Sequence, residues 1–157
     1  MSSPLYIFDL DGTLALIEHR RHLVEGETKD WRAFFAACVN DAPNLPVIRT
    51  FQSLREAGAE CWVWSGRSDE VRAQTESWLR RHDVWPRNRF WPGAPEAFQM
   101  RDAGDHTPDE LLKFGWLADL EPPERNRLTA VFDDRDKVVA MWRAAGVPCF
   151  QVAPGAF

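Results

Sequence analysis

Asp9 and Asp11 stand two residues apart at the end of a short apolar run and lead into Gly12 and Thr13. Carboxylates that close repel each other unless a proton or a cation lies between them. A hard divalent ion such as Mg²⁺ resolves the repulsion, because it takes one or two carboxylates together with phosphate oxygens and waters. Asp133 and Asp134 follow another apolar run and form a second acidic pair. Four carboxylates converging without a metal would cost on the order of several kcal/mol in repulsion and desolvation. A DxD pattern alone is common in turns; combined with Gly-Thr and a second acidic pair it points to a metal-assisted reaction on a phosphate. Ser65-Gly66-Arg67 offers a hydroxyl, a close backbone approach and a guanidinium, which suits an anion as well as an ordinary turn. Lys113 follows Asp109 by one helical turn, so the two share a face. They form either a surface ion pair or a buried lysine, held by a carboxylate, that reaches toward a phosphate.

These residues need elements to position them. Residues 5–8 read as a buried strand that ends at the first acidic pair, and 61–64 as a second, apolar on both faces as in parallel sheets. Residues 128–132 form a third strand ending at Asp133, with shorter strands expected near 97–100 and 148–152. Helical spacing runs through 46–56 to a stop at Gly58, and again after Ser68, where Val71, Thr75, Trp78 and Leu79 make the apolar stripe. Thr107-Pro108-Asp109-Glu110 predicts an N-cap, a first-position proline and a capping-box glutamate. A further helix carries Val138, Val139 and Trp142 to Gly146. The alternation predicts an α/β fold with a doubly wound parallel sheet, in which ligands sit at the carboxyl ends of the strands. Residues 16–44 differ in character, with a helix expected over 30–39. They read as a small helical cap insert over the active-site end of a single domain spanning 1–157.

Composition limits the classes. The 157 residues carry 19 Lys and Arg against 24 Asp and Glu, a net charge of −5, which argues against coating nucleic acid by bulk charge but not against gripping one strand end. At 45% hydrophobic and 27% charged the chain is globular. No apolar run approaches ~18 residues, so no membrane span is expected, and the start lacks the basic region of a secretory signal. Three scattered cysteines make neither a disulfide framework nor a zinc site, which fits a reducing cytoplasm. The four histidines show no metal-ligand spacing, and Trp62 and Trp64 read as core. Trp31, Phe34 and Phe35 in the insert are candidates to stack on a base, and Arg87 and Arg89 to touch neighbouring phosphates.

Taken in order, FDLDGTLA at 8–15, WSGRS at 64–68, Lys113 and VFDD at 131–134 resemble the four motifs of the haloacid dehalogenase superfamily of phosphotransferases. The segment Met100-Arg101-Asp102-Ala103-Gly104-Asp105, with Pro108-Asp109 and the stretch from Asp133 to Ala153, is similar to the 3′-phosphatase domain of phage polynucleotide kinase–phosphatases. The similarity covers most of the chain apart from 21–44 and 83–97. It implies a HAD-like phosphatase with Asp9 as nucleophile and Asp11 as general acid/base. Ser65, Arg67 and Lys113 would complete the catalytic set, and Arg20, Thr13, Gly66 and Asp109 would lie against substrate. Mg²⁺ would be held by Asp9, Asp11 through its carbonyl, Asp134 and, in support, Asp133. The expected substrate is a 3′-phosphate on a nucleotide or oligonucleotide end, with a separate kinase or ligase as partner. No GxxxxGK[ST] occurs in these residues, so they hold no P-loop kinase. The alternatives are a mononucleotide or other small-molecule phosphatase and, in another class, a non-catalytic end-binding or kinase-associated subunit.

Overall fold

The computed structural model describes residues 2–87 and 95–157. Five parallel strands form the main sheet in the order β5-β4-β1-β6-β7. They are β1 (Leu5–Phe8), β4 (Glu60–Ser68), β5 (Phe98–Arg101), β6 (Leu128–Asp133) and β7 (Cys149–Gln151). Side chains alternate across the sheet, and both faces are covered. Phe8, Cys61 and Val63 pack with Val47, Ile48 and Phe51 of α3 (Leu45–Glu56) and with Trp78 and Leu79 of α4 (Arg72–Arg81). Leu5, Ile7, Trp62 and Trp64 pack on the other face with Leu117 of α5 (Asp109–Ala118) and Val138, Val139 and Trp142 of α7 (Asp136–Ala144). This two-sided burial explains why β1 and β4 read as continuous apolar runs, and the doubly wound α/β sheet expected from the sequence is the one observed.

The segment after β1 leaves and rejoins the sheet's carboxyl end at one place. A two-residue antiparallel ladder pairs β2 (Ala15–Leu16) with β3 (Ala42–Pro43). Between them lie the short helices α1 (Glu18–Arg21) and α2 (Trp31–Ala36). The helix expected over 30–39 is thus shorter: Asp30 caps it, its carboxylate accepting from Ala33 N–H at 2.9 Å, and it tightens into a 3₁₀ turn over Ala37–Asn40. Trp78 ties the segment down, its indole N–H donating to the Asp41 carbonyl at 2.9 Å.

Two local expectations are corrected. The helix expected to start at Pro108 starts at Asp109, because Pro108 keeps an extended ψ of 143° and serves as its cap without a side-chain bond. The N–H of Thr107 instead donates to the Asp105 carboxylate at 2.8 Å, so there is no capping box. Ser65-Gly66-Arg67 is strand rather than turn: β4 runs on to Ser68, with a register shift against β5 between Ser65 and Ser68. The short helix α6 (Pro122–Arg127) was not foreseen. Cys38, Cys61 and Cys149 are free and buried. Among the described residues no helix is long and apolar enough to cross a membrane.

Candidate active site

The carboxyl ends of β1, β4 and β6, with the first turns of α5, meet beneath the segment between β2 and β3. Asp9 is buried. One of its oxygens accepts from Lys113 Nζ at 2.7 Å and the other from the Thr13 hydroxyl at 3.2 Å. Lys113 also donates to Asp133 at 2.9 Å. The lysine is therefore the buried tether of two carboxylates, and its own-helix neighbour Asp109 pairs elsewhere. Burial works against its charge, but Asp133 and Asp9 outweigh that and hold its pKa above the ordinary lysine value.

Asp9, Asp133 and Asp134 each present an oxygen within 4.8 Å of the others, all three buried. The second oxygen of Asp133 accepts from the main-chain N–H of Asp134 at 2.9 Å and of Arg135 at 3.3 Å, so both of its oxygens are engaged. Asp134 differs: its buried Oδ1 has no hydrogen-bond partner among the described residues. Burial and the charge of Asp133 raise Asp9 well above the usual carboxylate range despite Lys113. The same two causes push Asp134 up to about 7. One ammonium facing three carboxylates leaves the cluster short of positive charge. An orphaned carboxylate oxygen among oxygen donors fits a hard divalent cation.

Gly12 makes the cluster possible. Its φ is +82°, a conformation side chains rarely adopt, and a Cβ there would sit 2.1 Å from Asp134 Oδ2. The chain turns tightly enough for Asp11 to point away from the cluster. Asp11 Oδ1 accepts from Arg20 Nη2 at 2.7 Å and from Arg67 Nη2. Burial would raise the Asp11 carboxyl, but the two guanidiniums, Arg67 first, outweigh it and hold the group at about 2.

A buried carboxylate in the returning segment organises those arginines. Asp41 is buried and accepts from Arg20 Nε at 2.7 Å, Arg20 Nη2 at 2.6 Å and Arg67 Nη2 at 3.2 Å. His19 Nε2 lies 2.7 Å from its Oδ1. Arg20 also donates to the Phe34 carbonyl at 3.1 Å and Arg67 to the Thr75 hydroxyl at 3.1 Å. Arg20 thus stands fully buried behind Asp11. Only the three-dimensional return of the chain through β3 brings Asp41 here, and no local signal marks it.

The end of β4 is fixed from below. Ser65 is buried and its Oγ accepts from Arg67 N–H at 3.1 Å. A Cβ on Gly66 would meet Asp109 Oδ1 at 2.2 Å, so glycine is required for the helix to approach. Asp109 in turn pairs with Arg101 and, at 2.8 Å, with Arg135. Arg101 closes the loop by donating to the Gly66 carbonyl at 2.8 Å.

The structure gathers Asp9, Asp11, Ser65, Gly66, Arg67, Asp109, Lys113, Asp133 and Asp134 at this end of the sheet, with Thr13 and Arg20 fully buried behind the cleft rather than on its wall. It does not bring Arg87, which with Arg55, Glu56 and Glu60 lines a small pocket at the opposite, amino end of β4; it therefore has no reach to a phosphate at the carboxyl end. Arg89 lies outside the described residues. Phe34 is also excluded from stacking, being buried under the Arg20 guanidinium at 4.2 Å. Above Asp9 and Asp11 opens a cleft of about 980 Å³, walled by Arg67, Arg101 and Arg135 from the core and by Trp31 and Phe35 from α2.

Known proteins share this fold. Two solved structures of an assembly named the Pnkp1/Rnl/Hen1 complex, one described as an RNA repair complex, contain a chain that is 28% identical. The TM-scores are 0.79 and 0.78, and 99% of this chain is covered in both. This chain spans 48% and 44% of those longer chains. The structure of CbbY from Rhodobacter sphaeroides in complex with phosphate superposes over 99% of this chain and 88% of its own at a TM-score of 0.57 and 17% identity, a likeness of fold. Residues 3–157 match the family described as the polynucleotide kinase PNKP phosphatase domain. The match spans both acidic pairs, the strand-end arginine and the helical lysine. The chain therefore belongs to the PNKP phosphatase-domain family of HAD-type phosphatases.

Proposed function

We propose that this domain is a Mg²⁺-dependent phosphomonoesterase that removes a 3′-phosphate from nucleotide or polynucleotide ends through an aspartyl-phosphate on Asp9. One observation carries the reading. Asp9 stands at the cleft floor with Lys113 on one oxygen, the unpartnered Asp134 oxygen among its neighbours and Asp11 turned to two arginines. That is a nucleophile separated from a proton carrier.

In the first step an Asp9 oxygen attacks phosphorus, the bond to the leaving 3′-oxygen breaks, and Asp11 supplies the proton that oxygen needs. In the second, Asp11 takes a proton from water as it attacks phosphorus, releasing inorganic phosphate and restoring the Asp9 carboxylate. Held near a pKa of 2, Asp11 is ionised in the neutral range, which suits the second step. To donate in the first it has to gain a proton while Arg67, which lines the cleft, turns from it to the phosphate oxygens and Arg20 stays behind it on Asp41. Lys113 and Arg67 then face the charge that grows on those oxygens, where most of the catalysis of phosphoryl transfer lies. Asp133 holds Lys113 in place, and Asp109 holds Gly66 and the end of β4. Asp9, Asp134 and the Asp11 carbonyl would hold Mg²⁺, whose charge relieves the repulsion between Asp9 and phosphate.

The family assignment supports a strand-end substrate, and the matched repair assembly supports a kinase or ligase acting on the same ends. Residues 1–157 would act as one catalytic unit with 16–44 as its cap, and three free buried thiols suit a reducing, cytoplasmic setting. The test is phosphate release from matched 3′- and 5′-phosphorylated oligonucleotides. Release from the 3′-end in Mg²⁺ and none in EDTA is expected. Preferential release from 5′-mononucleotides would replace the reading with a small-molecule phosphatase.

A further inference from the structure

The cleft of about 980 Å³ lies at the upper end of the ~300–1,000 Å³ that small-molecule sites occupy. A phosphoryl group fills a small part of it. What occupies the rest can be read from which charges on its walls are already committed. Arg67 is bound to Asp11 and Asp41, Arg101 and Arg135 to Asp109, and Arg21 to Glu25 at 3.0 Å. Lys29, Arg32 and Lys137 also line the cleft, are exposed, and have no ion pair among the described residues.

Two of these cations, Lys29 and Arg32, flank Trp31 in sequence. Its indole is 47% exposed although large and apolar. It is braced by Phe34 and Phe35, with ring centroids at 5.7 and 5.9 Å. Lys29 Nζ stands 6.0 Å from its centroid. Phe35 is half-buried in the same cluster, and Phe157 lies under the guanidiniums of Arg21 and Arg135 at 4.5 and 5.4 Å. Trp31 is thus the aromatic wall of the cleft that combines high exposure, a braced ring and, on both sides in sequence, cations with no ion pair among the described residues. Carboxylates of Glu70, Asp102 and Asp105 stand beyond the ends of β4 and β5, whereas Lys137 follows β6 at the other side of β1.

We propose that Trp31, Lys29 and Arg32 form a subsite for a single-stranded polynucleotide end. The indole stacks on the base of the nucleotide bearing the phosphate, and the two cations hold the next backbone phosphate. Stacking on an aromatic ring within a positive groove is how proteins grip single strands without reading their sequence. The subsite rests on the phosphomonoesterase reading of the same cleft, and it makes a strand end a better substrate than a mononucleotide.

The experiment compares kcat/KM for a 3′-phosphorylated oligonucleotide with that for p-nitrophenyl phosphate in wild type, Trp31→Ala, Trp31→Phe and the double variant Lys29→Ala/Arg32→Ala. The ratio should fall about tenfold in Trp31→Ala and recover in Trp31→Phe. In the double variant the dependence of log(kcat/KM) on log salt for the oligonucleotide should lose roughly 0.7 per phosphate contact removed. An unchanged ratio in Trp31→Ala, or an unchanged salt slope in the double variant, overturns the subsite. Binding of a fluorescent 3′-phosphorylated oligonucleotide, followed by anisotropy, decides it independently of turnover. If wild type hydrolyses neither substrate the phosphomonoesterase reading fails, whereas tight binding of the strand by Trp31→Ala, equal to that of wild type, overturns the subsite alone.

Discussion

Replacing Asp134 with asparagine should stabilise the metal-free protein at mildly alkaline pH. Asp134 is 2% exposed, and burial together with Asp133 moves its carboxyl from the ordinary 3.8 to about 7. Between those values the folded chain keeps a proton that the unfolded chain has released. Stability is therefore lost as pH rises through that window and stays low above it. At roughly 1.4 kcal/mol per pH unit the shift sets a ceiling of about 4 kcal/mol on the loss. Asparagine carries no charge to repel Asp133 and Asp9, but its amide must still be buried, which returns ~1–3 kcal/mol if it finds no partner. A net gain of about 2 kcal/mol corresponds to roughly 4–8 °C in Tm for a chain of this size. The assay is thermal unfolding in EDTA near pH 5 and pH 8. Wild type should lose stability between the two, Asp134→Asn should lose less, and the variant should melt higher at the upper pH. Excess Mg²⁺ should raise the wild-type Tm by mass action and the variant's far less. A variant that melts lower than wild type at pH 8 in EDTA, with an unchanged pH slope, would refute the picture of a charge-starved cluster.

Other parts of the site give further expectations. Ca²⁺ should fail to restore the activity that Mg²⁺ restores after EDTA, because its looser coordination misplaces the attacking oxygen; equal turnover with both ions would count against the acidic cluster as a metal site. Asp41→Ala leaves the buried Arg20 and Arg67 short of charge, so unfolding should be easier by about 3–5 kcal/mol; denaturant titration with little change would contradict the buried network. Gly66→Ala drives a Cβ into Asp109 and should lower kcat on p-nitrophenyl phosphate by at least about tenfold, since a small misplacement at a phosphoryl-transfer site is costly; normal turnover would show that Asp109 does not set the end of β4.

The sheet was legible because its strands are apolar on both faces and end in polar punctuation, a pattern that burial between two helix layers imposes. Asp9, Asp11, Asp133 and Asp134 stood out for the same reason: acidic pairs at strand ends need a cation. Lys113 left two readings open, since helical spacing alone could not tell a surface pair with Asp109 from a tether between Asp9 and Asp133. Asp41 was invisible. Its role depends on the β2–β3 ladder, a contact of two residues per strand that sequence periodicity does not register. Arg87 misled in the other direction, because a local run of basic residues says nothing about which end of a strand it will reach.

The central claim, that Asp9 carries the phosphoryl group between the two steps, has a direct test. Enzyme mixed with excess 3′-phosphorylated oligonucleotide and Mg²⁺ is quenched in acid within the first turnover, digested and examined by mass spectrometry. A phosphate on the peptide containing Asp9, absent when Asp9 is asparagine and lost when the quench is delayed past substrate exhaustion, is the predicted result. Rapid turnover with that peptide unmodified at every quench time, or turnover that persists in Asp9→Asn, would contradict it.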